Sequence, residues 1–344
     1  MIDSIAIAIT PIMNNRSLTW ENCKAMDDIA NSVLLKAVLI VQTLSSTAAI
    51  PLLILLLRWV LTKSLMHFNT KFIFVFNIMC SLIHLLSRIN QHVAGLCDYF
   101  HQRSDGCQII PEIMYCFYVR LPYNCALWAC YTTTFMIALE RCIATIFLRS
   151  YHNNRTVGPL LVASQLMITS ALLLFVYFPT RFSGVIMYYC LAMSAEKPMY
   201  TVIPLSLTMI IQSLAVLTFV KLNMVNKDIR LKLRNAGDLR GRYQVEETLR
   251  SLNTLSPFFY SSYAFIFTYL ALMCTTLTVN HNFSTTLFLS VIEGTNWMPQ
   301  LCLFLPLLLW YQNRNVTNKV RSELSCEIAT TSERYQQDLR KMWG

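Results

Sequence analysis

Long uncharged stretches alternate with short charged segments along most of the chain. Three stretches of 21, 25 and 23 residues, at 37–57, 156–180 and 198–220, contain no Asp, Glu, Lys or Arg. A helix of about 20 apolar residues crosses about 30 Å of hydrocarbon, where each unpaired backbone group costs several kcal/mol. The pattern therefore predicts membrane-spanning helices, and these stretches are spans one, four and five.

The remaining apolar segments predict four more spans. Residues 251–292 form a 42-residue stretch without Asp, Glu, Lys or Arg. That is long enough for two helices, which the polar patch at 278–285 separates. Pro299 and Pro306 fall in the last span and predict kinks rather than an end, because neighbouring helices can satisfy the freed carbonyls. The predicted segments are about 72–94 for span two, 113–147 for span three, 254–277 for span six and 286–311 for span seven.

Composition supports a membrane protein. Hydrophobic residues make up 55% of the chain and charged residues 13%, whereas about 25% charged residues is usual in soluble proteins. A net charge of +10 would suit nucleic acid only if the basic residues clustered on a soluble domain, but here they fall between apolar runs. The predicted fold is an all-α membrane protein with a seven-transmembrane-helix bundle, and the predicted surroundings are a lipid bilayer without nucleic acid.

The distribution of Lys and Arg predicts the orientation. Segments that follow odd-numbered spans, with the carboxyl-terminal tail, hold 19 Lys and Arg residues, whereas the opposite side holds five. Short cytoplasmic segments carry the excess of Lys and Arg. We therefore expect an outside amino terminus and a cytoplasmic carboxyl terminus. The predicted divisions are an extracellular segment at 1–31, a seven-transmembrane domain at 32–311 and a cytoplasmic tail at 312–344.

Several of the 12 cysteines fall on the predicted outer face, where oxidising conditions permit disulfides. Cys116 precedes Arg141 by 25 residues, about 37 Å of helix, so the two lie at opposite ends of span three. Cys190 lies in the loop after span four, and a bridge to Cys116 would tie that loop over the bundle. Cys107 is an alternative partner for Cys190, and Cys23 with Cys107 is a plausible second pair.

Among the glycosylation sequons, the topology leaves Asn15 and Asn282 on the outer side. Asn282 lies in a short loop close to the membrane, so Asn15 is the better acceptor. The sequence contains no C-x-x-C or H-E-x-x-H arrangement for a metal. It also offers no positioned nucleophile and base or phosphate loop. We expect no enzymatic activity, no catalytic residue, no metal and no cofactor.

Three ionisable residues fall inside predicted spans, namely Arg88 in span two, Arg120 in span three and Glu293 in span seven. Each lies in the outer portion of its helix, so the three could meet in one outward-facing cavity. Intramembrane charges are costly and usually face a cavity or a partner, which makes these residues candidates for binding a ligand. The alternative is that the arginines snorkel to the headgroups and Glu293 forms a purely structural ion pair.

At the inner end of span three, Glu140 and Arg141 form an acidic–basic pair. With the topology and the spacing to Cys116, the pair resembles the D/E-R-Y signature of G protein-coupled receptors. That resemblance implies that Arg141 is held by Glu140 when inactive and released to contact a G protein; a plain interfacial pair is the alternative. Cys142 replaces the tyrosine, and the C-W-x-P and N-P-x-x-Y motifs are missing, so the rhodopsin-like class fits poorly.

The chain is more similar to the nematode Sra superfamily of chemoreceptors, classes alpha and AB, over nearly its whole length. The similarity is carried by segments 23–26, 68–71, 140–145 and 242–247. Thr248 stands where the family often has asparagine, so the two classes stay open. The resemblance implies a chemosensory receptor with a small-molecule stimulus and a heterotrimeric G protein as partners. It also implies that Arg242 and Tyr243, in the third cytoplasmic loop, contribute with Arg141 to coupling.

The expected mechanism is a population shift, in which the stimulus favours a helix arrangement that exposes the cytoplasmic surface around Arg141. We expect a multi-pass protein of the plasma membrane, in the cilia or dendrites of sensory neurons. A ligand-gated channel or transporter is the main alternative, because polar intramembrane residues also line ion pathways. A non-signalling scaffold of sensory membranes would share the topology.

Overall fold

The computed structural model describes residues 19–63, 66–101, 106–147, 151, 154–178, 188–190, 199–236, 239–279 and 283–343. Within these ranges the side chains of 63, 234–240, 242–243, 319–320 and 323–343 are not described. A short 3-10 turn at Gly106–Ile109 precedes α4. The helices are α1 (Trp20–Ala30), α2 (Val33–Lys63), α3 (Phe68–Phe100), α4 (Ile113–Ile146), α5 (Val157–Tyr177), α6 (Met199–Ala236), α7 (Leu239–Thr278), α8 (Thr285–Thr295) and α9 (Met298–Trp343).

Helices α2 to α7 correspond to predicted spans one to six, and α8 with the start of α9 to span seven. Within the described residues, α2, α3, α5, α6 and α7 are long and apolar enough to cross a bilayer. Their outward faces expose large apolar side chains, among them Leu44, Met167 and Leu217. Exposed apolar surface of this extent marks contact with lipid. The fold is therefore an all-α membrane bundle.

Helix α4 falls outside that set of five because polar residues such as Asn124 and Thr132 interrupt its apolar positions, and its central place in the bundle permits them. It packs against α3, α5, α6 and α7, and every residue from 126 to 134 is buried. A helix enclosed by protein on all sides can carry polar residues that lipid would penalise. Thr134 donates a 2.6 Å hydrogen bond to Gln212 of α6, and Gln165 of α5 donates to Thr133 at 2.9 Å. These bonds hold neighbouring helices against α4.

Span seven departs from the predicted form. Asn296 and Trp297 separate α8 from α9, so the prediction of proline kinks within one continuous helix is wrong here. Asn296 Oδ1 accepts a hydrogen bond from the Met298 amide at 3.3 Å. Pro299 falls in the first turn of α9, where its missing N–H leaves no intrahelical bond unmade, whereas Pro306 lies inside α9.

Helix α1 lies over the outer end of the bundle, where its apolar face forms a small separate core. Met26 and Ile29 pack with Leu35 of α2, Tyr99 of α3 and Leu289 of α8. Because α1 contacts the 3-10 turn and α8, it joins the outer loops to the bundle. The predicted glycosylation sites Asn15 and Asn282 lie outside the described residues.

Two cysteine pairs lie at the outer end. Cys23 and Cys107 have a Cα–Cα distance of 4.5 Å, and Cys116 and Cys190 one of 4.9 Å. Both distances fall in the range that a disulfide requires, roughly 4.4–6.8 Å. The first pair ties α1 to the turn before α4, and the second ties the loop after α5 to the outer end of α4.

Candidate functional site

The outer charged cluster consists of Arg88, His92, Arg120 and Glu293. Arg120 Nη2 lies 2.6 Å from Glu293 Oε1, whereas Arg88 Nη2 and His92 Nε2 each lie 3.3 Å from Glu293 Oε2. All four side chains are buried. The structure thus brings the three predicted residues together from α3, α4 and α8. Burial of the two guanidiniums beside a carboxylate argues against arginines that snorkel to the headgroups.

Arg88 also fixes the end of α8. Its Nη2 donates to the Glu293 carbonyl at 3.2 Å and its Nη1 to the Asn296 carbonyl at 3.4 Å. The carboxyl end of a helix carries partial negative charge and unpaired carbonyls, so a guanidinium is well suited to this position. Asn296 Nδ2 in turn donates to Tyr123 Oη at 2.5 Å. Side chains from α3 and α4 therefore hold the α8–α9 break.

Residues 188–190, between α5 and α6, contact the cluster. The Cys190 carbonyl accepts hydrogen bonds from Gln91 Nε2 at 3.2 Å and from Arg120 Nε. Tyr189 is buried with its ring 5.8 Å from the Arg120 guanidinium, and the Tyr123 ring lies 4.5 Å from the same group. Aromatic faces attract cations at these distances. Arg120 therefore joins α4 to residues 188–190 as well as to α8.

A cavity of about 60 Å³ lies below this cluster, between α4 and the helices around it. Arg120 and Glu293 line it, whereas Arg88 does not. The volume is that of roughly two water molecules. The cavity combines the charged outer end with an apolar interior. Its other lining residues are Tyr123, Asn124, Leu127, Trp128, Tyr131, Val176, Thr201, Leu205, Tyr269, Met273, Ile292 and Asn296.

The inner charged cluster is built around Glu140 and Arg141, which are both buried. Arg141 Nε and Nη2 donate to the two Glu140 carboxylate oxygens, each at 2.5 Å. Thr70 Oγ1, from the start of α3, accepts from Arg141 Nη2 at 2.5 Å and donates to Glu140 Oε2 at 3.0 Å. The arginine is thus held by its acidic neighbour and by a second helix.

Tyr151, between α4 and α5, adds a third partner to the inner cluster. Its hydroxyl donates to Glu140 Oε1 and accepts from Asn69 Nδ2 at 3.0 Å. Burial raises the pKa of Tyr151 above its usual value, so the phenol keeps the proton that it donates. Asn69 Oδ1 also accepts from the Gly158 amide at 3.1 Å. Tyr151 and α5 are therefore tied to α3.

A cleft of about 30 Å³ adjoins Arg141 on the side of α7. Gln244 and Glu247 of α7 line it together with Tyr151. Arg242 and Tyr243 immediately precede Gln244 in α7, but their side chains are outside the described part of the structure. The structure therefore brings segments 140–145 and 242–247 to one cleft at the inner end.

Sequence reasoning missed His92, Tyr123 and Asn296 at the outer cluster, and Thr70 and Tyr151 at the inner one. His92 follows Arg88 by four residues and so lies on the same helix face, which was a usable signal. Thr70 falls inside segment 68–71, which carries the family resemblance, and this was a second usable signal. Tyr151 reaches Glu140 across a loop, and nothing in its sequence neighbourhood indicates that contact.

Comparison with known proteins gives one family. No curated protein matches the chain in a sequence search. The family described as serpentine type 7TM GPCR receptor class ab chemoreceptor matches residues 20–344, which includes every described residue of both clusters. The matched class is one of the two that the sequence resembles. The chain belongs to the class ab family of serpentine seven-transmembrane chemoreceptors.

Proposed function

We propose that this receptor binds a small-molecule stimulus in the outer cavity and activates a heterotrimeric G protein from the inner cluster. The observation that carries the proposal is the presence of two buried charged clusters on one central helix. Arg120 and Arg141 both belong to α4, and each is ion-paired with a buried carboxylate. Arg141 follows Arg120 by 21 residues, about 32 Å of helix. A change at one end can therefore reach the other through α4.

At the outer end, the stimulus acts on the contacts of Arg120. Ligand pockets usually have volumes of about 300–1,000 Å³, so a cavity of about 60 Å³ fits a resting arrangement. A stimulus that occupies a wider cavity favours helix arrangements in which α8 has moved relative to α4. It shifts the population toward those arrangements by its differential affinity.

At the inner end, coupling requires that Arg141 leave Glu140 and face the cytoplasm. Thr70 and Tyr151 then lose their contacts with the pair, and the narrow cleft beside Gln244 opens. Arg242 and Tyr243 lie on the adjoining turn of α7 and contribute to the docking surface. The receptor works at the plasma membrane with its amino terminus outside, and we place it in the cilia or dendrites of sensory neurons.

The test is a pair of inner-cluster variants with opposite expected effects. Glu140→Gln removes the charge that holds Arg141 and should raise nucleotide exchange in the absence of a stimulus. Glu140→Gln with Arg141→Met replaces the buried ion pair by neutral groups, which avoids leaving an unpaired charge. This double variant should abolish exchange. Arg58→Gln, at an exposed arginine near the same end of the bundle, is the control and should leave exchange unchanged.

The measurement is nucleotide exchange on a reconstituted G protein at matched receptor levels, with and without stimuli found by screening. Normal stimulated exchange by the well-expressed double variant would remove Arg141 from the mechanism. A stimulus-dependent conductance in membranes that lack a G protein would replace the proposal with the channel alternative.

A further inference from the structure

The outer cluster has an excess of buried positive charge. Arg88 and Arg120 each carry one positive charge, and Glu293 is the only carboxylate paired with either guanidinium in the described part of the chain. His92, the fourth member, is neutral or positive. Buried charge inside a membrane is costly when it is not balanced. The carbonyls at the end of α8 supply part of the balance, equivalent to about half a charge, and the Cys190 carbonyl and the rings of Tyr123 and Tyr189 supply more at Arg120, but the described residues place no second carboxylate beside the two guanidiniums.

Hydrogen-bond donors are also in excess. Two guanidiniums offer ten N–H groups, and their acceptors in the described structure are the Glu293 carboxylate and the carbonyls of Glu293, Asn296 and Cys190. Arg88 Nε is buried without a partner. A bound group that accepts hydrogen bonds and carries negative charge would offset the charge imbalance and would meet the donors of Arg120, the arginine that lines the cavity.

The cavity wall shows the same excess of positive charge and of hydrogen-bond donors. Glu293 is the one carboxylate among the described lining residues, and it is already bracketed by Arg88, His92 and Arg120. Every other polar side chain on the wall can donate a hydrogen bond, since these are arginine, tyrosine, asparagine, threonine and tryptophan. A cationic stimulus would have to displace two arginines to reach a carboxylate. An anionic one meets Arg120 directly.

The lower wall is apolar, with Leu127, Leu205 and Met273 among its residues. A molecule with its charged group at Arg120 would therefore place the rest of its body against hydrocarbon side chains. Resting on the proposed function, we infer that the stimulus is a small organic acid. Its carboxylate binds Arg120, and its short apolar body occupies the space between α4, α6 and α7.

The test uses matched compounds on the purified full-length receptor in lipid nanodiscs. Hexanoate and benzoate are compared with hexanamide, benzamide and hexylamine, with chloride added to equal ionic strength. A ligand at concentration L that binds the folded state stabilises it by RT ln(1 + L/Kd), so Tm rises with the logarithm of ligand concentration once that concentration exceeds Kd. The acids should raise Tm as their concentration increases, and the amides and the amine should not. Equal shifts by acids and amides, or shifts by the amine alone, would overturn the inference, as would the absence of any acid effect.

Two variants locate the site. Glu293→Gln removes the internal carboxylate that competes for Arg120, so it should lower the dissociation constant of the acids at least tenfold even if it lowers Tm. Arg120→Gln combined with Glu293→Gln keeps neutral side chains and should abolish the acid effect. Arg58→Gln should behave like the wild type. Acid binding that persists in the Arg120 variant would place the anion elsewhere and refute the inference.

The same experiment separates this inference from the proposed function. Nucleotide exchange stimulated by neutral compounds, with no acid binding, would overturn the organic-acid inference and leave the receptor mechanism in place. Saturable acid binding that requires Arg120 would support the inference even if no G protein responded, and that outcome would count against the proposed coupling alone.

Discussion

Glu140 is the residue on which the inner cluster depends, because its carboxylate accepts hydrogen bonds from three side chains. Arg141 and Thr70 belong to neighbouring helices, and Tyr151 belongs to the loop after α4. Removing one donor leaves the buried carboxylate with two hydrogen-bond donors. The remaining partners keep the pair folded, but they hold it less strongly in the arrangement that conceals Arg141.

Tyr151→Phe deletes one of these donors and keeps the aromatic ring. A hydrogen bond to a charged group contributes about 1.5–3 kcal/mol, so losing it should raise the active population by about tenfold or more if the bond is absent in the active state. We expect higher stimulus-independent nucleotide exchange at equal surface expression. Tyr311→Phe, at an exposed tyrosine of α9, is the matched control. Exchange at the wild-type level in Tyr151→Phe would show that this contact does not restrain Arg141.

At the scale of the helices, the sequence was sufficient to predict the helix bundle but not the break in span seven. Hydrocarbon requires long apolar segments, so spans could be found from charge-free stretches alone. The break at Asn296 is held by Arg88 and Tyr123, from α3 and α4, and contacts so distant in sequence leave no local pattern. Distant contacts also explain why only part of the candidate site could be predicted. Arg88, Arg120 and Glu293 stood out because charge is rare in lipid, whereas uncharged partners such as Tyr123 did not.

Close approach of α3 and α5 depends on the absence of a side chain at Gly158. A Cβ at this position would lie 2.8 Å from both the Cα and the carbonyl oxygen of Asn69. Overpacking of this kind typically costs about 1–3 kcal/mol, and here the obstacle is backbone. We expect Gly158→Ala to lower Tm and to raise basal exchange, because Asn69 also holds Tyr151.

Gly95→Ala is the control, since a Cβ there meets nothing within 4 Å. Alanine is favoured over glycine inside a helix by about 0.5–1 kcal/mol, so this variant should match or exceed the wild type in Tm. Differential scanning fluorimetry of both purified proteins makes the comparison. Equal Tm values for the two variants would mean that α5 can move away from α3 without cost.

At the scale of the whole molecule, the segment at 188–190 is tied to α4 through Cys190. Peptide mapping under non-reducing conditions should find Cys116 with Cys190 and Cys23 with Cys107. Losing a native disulfide costs about 2–5 kcal/mol in small domains, so Cys190→Ser should reduce both surface expression and the response to a stimulus. Cys97→Ser changes an exposed cysteine outside both pairs and should do neither. A Cys107–Cys190 peptide would contradict this pairing.

Under the proposed function, the two clusters on α4 bias a single equilibrium from both ends of the bundle. A G protein that binds only the active arrangement must raise stimulus affinity by the same factor by which the stimulus raises G protein affinity. Such coupling is typically about 1–3 kcal/mol, a factor of roughly 5 to 150. We expect equal factors when both affinities are measured in nanodiscs, each with and without the other partner. In the Glu140→Gln, Arg141→Met double variant the stimulus should still bind, but the G protein should no longer change its affinity. A factor of one in the wild type would mean that the stimulus and the G protein do not share one equilibrium, and a factor below one would mean that they select different arrangements. An affinity increase that survives in the double variant would show that the coupling does not depend on Arg141.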